Sequence, residues 1–199
     1  MKGLMTVVLL AFGLTLVFAN AYAFDGKHKG FLLGGGLGVG VDTVRPEISD
    51  RGNFITIRGD DVSYAALGTD FKIGGGVSER TLLYFHSQSA WFGDTDINGN
   101  DVTFASSVTG LGVTWFTTPN PHSFFLTGTM GIATFDLPLE DNFQAWTSFG
   151  VILGVGYEFA RHWSVDGSFV IGAPERTENN ITGRVNSVSL LFTVAALAY

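Results

Sequence analysis

Large apolar residues alternate with small or polar ones through the segment Ser148 to Gly172. A period of two predicts β-strands, because successive side chains leave a strand on opposite faces. A break at residues 160–162 divides the segment into the two strands of a hairpin. One face is apolar and ends in aromatic residues, whereas the other is mostly glycine and serine with the acids Glu158 and Asp166. The second face suits the inside of a narrow barrel whose outside faces lipid.

The same alternation predicts eight strands in the whole chain. They are Gly30–Val41, Val62–Gly74, Thr81–Trp91, Val102–Phe116, Ser123–Phe135, the two strands of the hairpin Ser148–Gly172, and Val185–Tyr199. Long polar connections alternate with short ones, as in small outer-membrane barrels, where extracellular loops are long and periplasmic turns are short. Residues 53–57 in the first long loop are predicted to extend the flanking strands. The predicted fold is all-β, an eight-stranded antiparallel up-and-down transmembrane β-barrel.

The N-terminus has the three parts of a secretory signal. A basic Lys2 precedes an apolar run from Leu4 to Phe18, and a small-x-small cleavage site follows at residues 21–23. The alternative is an uncleaved membrane anchor, for which the apolar run is short. We therefore predict a cleaved signal peptide at residues 1–23 and a single barrel domain at residues 24–199.

Composition narrows the class of protein. The 199 residues include 27 glycines and 18 phenylalanines, and 15% are charged, whereas soluble domains carry about 25% charged residues. After residue 23 no apolar run approaches the length of a spanning helix, so a closed barrel is the expected way to satisfy the backbone in a bilayer. The net charge of −7 argues against a nucleic-acid partner. The absence of cysteine excludes disulfides, thiol catalysis and a cysteine-based zinc site.

Several motifs carry a resemblance to a known group of proteins. They are the signal peptide, the segment Gly154–Phe159 with Trp163–Val165 after it, and the terminal aromatic Tyr199. With these motifs the chain resembles the small eight-stranded outer-membrane β-barrels of Gram-negative bacteria, the OmpA/OmpX/OmpW-like group. One departure is Val194, where the assembly signal of such proteins commonly has glycine.

The resemblance implies a location and a set of partners. The protein would be an integral component of the cell outer membrane, inserted by the barrel-assembly machinery. Outer-membrane lipids and lipopolysaccharide would surround it, and it is expected to be a monomer.

Aromatic residues cluster near the short turns and the termini of the predicted strands. Aromatic rings favour the membrane–water interface, so these residues predict a girdle around one end of the barrel. The girdle residues are Trp115, Phe116, Tyr157, Phe159, Trp163 and Tyr199.

Five charged or titratable side chains fall on the predicted inward faces. This lumen polar cluster comprises Asp70, Lys72, His86, Glu158 and Asp166. Eight strands enclose an interior that side chains fill, so buried charges there must pair. The first interpretation is a salt-bridged polar plug; the alternatives are a path for protons or small solutes, and a catalytic site.

The loop at residues 93–101 matches the first half of a calcium-binding loop. The candidate ligands are Asp94, Asp96, Asn98 and Asp101. Alternate oxygens followed by a glycine suit a calcium loop, but Ala105 stands where the bidentate glutamate is expected. Asn98–Gly99 is equally a good hairpin turn. No cofactor is predicted, and weak calcium binding is the alternative to a plain surface turn.

Lipid-modifying catalysis is a minor alternative. His86 and Ser89 lie three apart on one strand and so face opposite sides. His162 and Ser164 share a face, but they adjoin a short turn and lack the His-x-Ser-Asn context of deacylase barrels. We therefore expect no enzymatic activity.

The predicted role is structural or surface-interacting, carried by four extracellular loops on a rigid scaffold. The main alternative is a narrow OmpW-like channel for small or hydrophobic solutes, because glycine-lined walls would leave a cavity. Those glycines are Gly34, Gly36, Gly38, Gly110, Gly112, Gly154 and Gly156. A lipid A-modifying enzyme and a soluble periplasmic β-sandwich complete the alternatives.

Overall fold

The structure, a computed structural model, describes residues 28–50, 52, 55–95, 99, 101–138 and 144–198. Within these residues no helix has the length and apolar character needed to cross a bilayer. The strands are β1 (Gly30–Asp50), β2 (Ile55–Arg58), β3 (Val62–Ser78), β4 (Thr81–Thr95), β5 (Asp101–Phe116), β6 (Phe124–Asp136), β7 (Trp146–Ala160), β8 (Trp163–Gly172), β9 (Glu175–Glu178) and β10 (Ile181–Ala198). The predicted signal peptide lies outside the described residues.

Eight of these strands form a closed antiparallel ring. Its order is β1, β3, β4, β5, β6, β7, β8 and β10, and β10 pairs with β1 from Leu33–Ala198 to Asp50–Ile181. Sequential neighbours pair throughout, which is the up-and-down topology. The ring confirms the predicted eight-stranded barrel, and closing it removes the free strand edges that a bilayer cannot solvate.

Two short strands lengthen one end of the barrel. β2 pairs with residues 47–50 of β1, and β9 pairs with residues 181–184 of β10. β1 therefore continues to Asp50 instead of ending at the predicted Val41. The connection predicted between Gly172 and Val185 contains a hairpin formed by β9 and the start of β10. Most residues of these segments are polar because they lie beyond the apolar belt, so alternation in hydrophobicity did not identify β9 or the full length of β1. The pairing of residues 55–57 confirms the predicted extension for that part of residues 53–57.

Short and long connections lie at opposite ends. The short ones are residues 79–80, 117–123 and 161–162. His162 has a positive φ of 69°, the left-handed conformation that this tight turn needs. Both described chain ends lie beside the short turns, and the strand ends that flank the four long connections lie at the other end. By the convention of outer-membrane barrels the long connections are extracellular.

Large apolar side chains point outwards along the ring strands. On β7 and β8 they include Phe149, Leu153, Val155 and Phe169, whereas Glu158 between them in sequence is 2% exposed and faces inwards. The other ring strands add Leu37, Val39, Leu67, Leu83, Leu111, Leu126, Met130 and Phe192 to this outward set. An apolar band around a closed barrel is a lipid-facing surface, and the inside–outside assignment predicted from alternation is confirmed.

Candidate functional site

The centre of the barrel interior holds a buried ion pair with a histidine. Lys72 Nζ donates a 2.8 Å hydrogen bond to Asp70 Oδ2, and His86 Nε2 lies 3.0 Å from Asp70 Oδ1. The Thr129 hydroxyl lies 2.7 Å from His86 Nδ1. A neutral His86 satisfies both contacts by donating to Asp70 and accepting from Thr129. The inner faces of β3, β4 and β6 thus bring three of the predicted lumen residues together as a compensated set with no net charge.

Glu158 and Asp166 are buried, but they do not join that set. The Glu158 carboxylate accepts a 2.9 Å hydrogen bond from His28 Nε2 near the short-turn end. Asp166 forms no ion pair within the described residues, and its Oδ2 atom is buried without a hydrogen-bond partner. The predicted polar cluster is therefore distributed over three places in the lumen, on β3–β4, β7 and β8.

His28 is a buried interior residue that the sequence analysis missed. Its ring stacks on Phe116 with centroids 3.7 Å apart, and its Nδ1 lies 3.0 Å from the Glu79 carbonyl oxygen. Both ring nitrogens therefore lie within hydrogen-bond distance of oxygen atoms. The signal was present, because extending the β1 alternation backwards gives His28 the same inward parity as Leu32.

Two hydrogen bonds cross the interior between opposite walls. The Ser168 hydroxyl on β8 donates to Gln88 Oε1 on β4 at 3.1 Å. Ser106 Oγ on β5 and Ser187 Oγ on β10 lie 2.9 Å apart. In a ring of eight strands, each pair joins strands four places apart, directly across the barrel. The interior is closed across its middle.

Apolar side chains fill the interior on both sides of the polar level. The cluster toward the short turns comprises Leu32, Leu82, Tyr84, Phe116, Phe125 and Leu197. The cluster toward the long connections includes Val44, Phe92, Val108, Phe135, Ile152, Val170, Val185 and Leu191. Phe92, which directly follows the predicted end of the third strand at Trp91, lies inside on β4.

The inward glycines accommodate these large side chains. A Cβ atom on Gly112 would lie 2.5 Å from Tyr84 Cε2, and one on Gly156 would lie 2.2 Å from Phe125 Cζ. Both distances are shorter than a van der Waals contact. At these two positions the interpretation of glycine as cavity lining is wrong, since an aromatic ring occupies the space.

Four of the six predicted girdle residues lie on the outside. Trp115, Phe159 and Trp163 are exposed, and Tyr157 packs against the exposed Phe124 with ring centroids 4.8 Å apart. The assignment of Phe116 to the girdle is wrong, because its side chain is fully buried in the lumen. Phe116 falls on the inward parity of β5, beside the outward Trp115. Tyr199 lies outside the described residues.

The calcium candidates are only partly described. Asp94 Oδ2 accepts a 2.6 Å hydrogen bond from the Tyr64 hydroxyl, and Asp101 is exposed at the start of β5. Asp96 and Asn98 lie outside the described residues. In the part of the chain that the structure covers, no group of three or more acidic, histidine or cysteine side chains could hold a metal ion. Calcium binding stays a prediction.

The Tyr64–Asp94 hydrogen bond lies near the extracellular ends of β3 and β4. It raises the pKa of Tyr64 to about 12, because the neutral phenol donates to the carboxylate, with smaller contributions from burial and from the negative charge of Asp94. The bond links β3 to β4 above their last backbone pair, Leu67–Trp91.

The strands β2 and β9, with residues 47–50 of β1 and 181–184 of β10, form an extracellular extension of the barrel. This extension carries a row of alternating charges across its four strands. Arg58 Nε donates to Glu47 Oε2 at 3.1 Å, and Arg184 Nε donates to Glu175 Oε2 at 2.9 Å. Glu47 and Arg184 are register partners, so the row runs from β2 through β1 and β10 to β9. The hydrogen bond from Glu175 raises the pKa of Arg184. Paired charges of this kind favour the antiparallel register of the extension.

The histidine–serine pairs weighed for lipid chemistry are placed as follows. His86 is buried in the lumen, and Ser164 is also buried on the inner face. His162 Nδ1 lies 2.9 Å from the Leu197 carbonyl oxygen at the short-turn end.

No protein-family model matches the chain, and no curated protein matches its sequence. Its fold is similar to several solved structures. Neisserial surface protein A is 16% identical, covers 80% of this chain and 96% of its own, and gives a TM-score of 0.46. The outer membrane protein OprG from Pseudomonas aeruginosa is 12% identical, with coverages of 87% and 99% and a TM-score of 0.48. The outer membrane protein AlkL, solved by solid-state NMR in DMPC bilayers, is 14% identical, with coverages of 87% and 92% and a TM-score of 0.48.

At these sequence identities the similarity is one of fold only. The evidence that the barrel lies in a membrane comes from the apolar outer surface of the chain itself. Strands can cross a bilayer only when they close into a barrel, and an apolar exterior is what such a barrel presents to lipid. Because the ring closes and turns its large apolar side chains outwards, the chain is an integral β-barrel of the outer-membrane type.

Proposed function

We propose that the protein is a non-enzymatic, non-conducting barrel of the outer membrane whose role is structural or surface-interacting. The observation that carries this proposal is the closure of the lumen by the Gln88–Ser168 hydrogen bond between opposite walls. A solute on the barrel axis would have to break that bond and also displace the apolar clusters above and below it. Each cluster contains fully buried side chains, so the barrier would be steric as well as polar.

The extracellular extension supports a surface-interacting role. Ile48, Ile55 and Ile57 are exposed on it, and β2 is its terminal strand. Isolated exposed isoleucines are ordinary, but several on one small sheet outside the lipid belt suggest a contact surface. Loops carried on a rigid scaffold are where binding residues concentrate. The partners that we propose are outer-membrane lipids and lipopolysaccharide around the barrel, and the barrel-assembly machinery during insertion.

A second candidate function is the passage of small or hydrophobic solutes. It is favoured by the seam between β3 and β4, whose pairing ends at Leu67–Trp91 although both strands continue. Beyond that pair, residues 62–66 and 92–95 are not paired with each other, and Tyr64 and Asp94 bridge them through side chains. A solute could leave sideways into lipid there without crossing the closed middle of the lumen.

Single-channel recording of the purified barrel in planar bilayers tests the first proposal. We expect no discrete conductance steps from the wild-type protein. The double variant Gln88→Ala, Phe92→Ala removes two side chains that fill the lumen. It serves as the positive control, in which we expect small conductance steps. Wild-type steps of defined size would overturn the proposal.

Uptake of an apolar fluorescent solute into barrel-containing vesicles tests the second candidate. We expect Tyr64→Phe to raise the uptake rate above wild type if the seam is a route, because it removes the link to Asp94. Equal rates for wild type, Tyr64→Phe and protein-free vesicles would eliminate this candidate.

A further inference from the structure

Asp42 is a fully buried carboxylate on the inner face of β1. Two serine hydroxyls of the neighbouring strand β10 donate to its Oδ1 atom, Ser187 at 3.0 Å and Ser189 at 2.8 Å. A third hydroxyl, Ser106 on the opposite strand β5, lies 2.9 Å from Ser187 Oγ. Three hydroxyls from two walls of the barrel therefore converge beside one carboxylate.

No positive charge compensates Asp42 among the described residues. Two other buried carboxylates differ from Asp42, because Asp70 is paired with Lys72 and Glu158 contacts His28. Asp42 forms no such pair, and its Oδ2 atom is buried without a hydrogen-bond partner. Asp166 shares the orphaned Oδ2 atom, but among the described residues no serine hydroxyls surround it as they surround Asp42. An ionised Asp42 would leave a buried charge unpaired, whereas a proton on Oδ2 would create a buried O–H with no acceptor. Neither state is satisfied by the protein alone.

We propose that Asp42, Ser106, Ser187 and Ser189 form a binding site for a small hard monovalent cation of the Na⁺ class. Hard cations take oxygen ligands, and a serine that donates its proton to Oδ1 keeps lone pairs for the ion. A single carboxylate balances a charge of +1, whereas calcium sites of proteins use several carboxylates. A cavity of ≈ 10 Å³ lies on the Ser106–Ser187 side of the site and approaches the space needed for one water-sized particle. Residues of β6 and β8 complete its lining, and Asp42 does not line it.

Thermal unfolding of the detergent-solubilised barrel tests the site, with Na⁺ exchanged for N-methylglucamine at constant ionic strength. A ligand that binds only the folded state raises Tm with its concentration. We expect a rise of about 3–6 °C when Na⁺ reaches roughly ten times its Kd. Asp42→Asn keeps an acceptor oxygen for the two serines but removes the charge, so its Tm should not respond to Na⁺.

Asp61→Asn is the matched control, because it removes an exposed carboxylate that pairs with Arg45. It should keep the full wild-type response. Ser106→Ala, which removes one hydroxyl on β5, should reduce the rise of Tm with Na⁺. This variant tests the site if Asp42→Asn does not fold. Equal responses of wild type and Asp42→Asn would overturn the proposal. The proposal would also be overturned if the wild-type Tm did not change with Na⁺ and fell as the pH rose. In that case a proton, and not a metal cation, would neutralise Asp42.

Discussion

Gln88 on β4 and Ser168 on β8 are hydrogen-bonded at 3.1 Å across the full width of the barrel. Both side chains are about 1% exposed, so the bond lies away from solvent. Because β4 and β8 are four places apart in a ring of eight, no other pair of strands is farther apart than theirs. The bond joins opposite walls of the barrel, so the interior is a packed core with polar cross-links.

Replacing Gln88 by alanine should lower the free energy of unfolding by about 1–3 kcal/mol, because the Ser168 hydroxyl would lose its buried acceptor. Equilibrium urea unfolding in detergent, followed by tryptophan fluorescence, measures this change. Ser89→Ala, on the adjacent outward position of β4, should stay within roughly 0.5 kcal/mol of wild type. Equal losses in the two variants would mean that the cross-lumen bond contributes nothing.

Lys72→Met should be among the most damaging single substitutions in the lumen. It leaves Asp70 as a buried charge without its cation, at a cost of about 3–5 kcal/mol. Adding Asp70→Asn should recover most of that loss, which a double-mutant cycle of unfolding free energies measures. The comparison pair is Arg45–Asp61, with side chains 46% and 52% exposed, whose coupling should be about 0–1 kcal/mol. A Lys72–Asp70 coupling as small as that of the exposed pair would refute the prediction.

His28→Ala should destabilise the short-turn end of the barrel. The variant loses the stacking on Phe116 and the hydrogen bond that His28 donates to the buried Glu158 carboxylate, and we expect a loss of about 1–3 kcal/mol. Urea unfolding is again the measurement, and Lys29→Ala, the exposed neighbour, is the control. If the two alanine variants unfold at the same urea concentration, His28 is not the stabilising contact that its burial indicates.

Tyr64 should ionise at a higher pH than an ordinary tyrosine. Its pKa is raised from 10.0 to about 12 by the hydrogen bond to Asp94. Since the folded-state pKa lies above the unfolded value, the stability from this bond is fully present below about pH 10 and is lost as the pH rises toward 12. Phenolate absorbance of wild type minus Tyr64→Phe gives the titration, and Asp94→Asn should move it to lower pH. A midpoint near pH 10 in wild type would contradict the prediction.

Much of the architecture was predictable because one property, the side-chain period of two, encodes several facts at once. It identified the strands, their inward and outward faces, and through the alternating connection lengths the up-and-down order. The burial of Glu158 and the exposure of Val155 follow from parity alone. Residues 53–57 were predicted to extend the flanking strands, but the full lengths of β1 and β10 did not follow, because mostly polar segments carry little alternation in hydrophobicity.

The sequence by itself determined which side of each strand faces lipid, since outward positions must be apolar in a bilayer whatever their partners are. It did not determine what fills the lumen. Phe116, Phe125 and Tyr84 have inward parity, but only the register of the paired strands places Gly112 beside Tyr84 and Gly156 beside Phe125. The Gln88–Ser168 and Ser106–Ser187 contacts join residues about 80 positions apart. Tertiary structure alone decides such pairs, because they depend on barrel diameter and strand stagger, which no local pattern specifies.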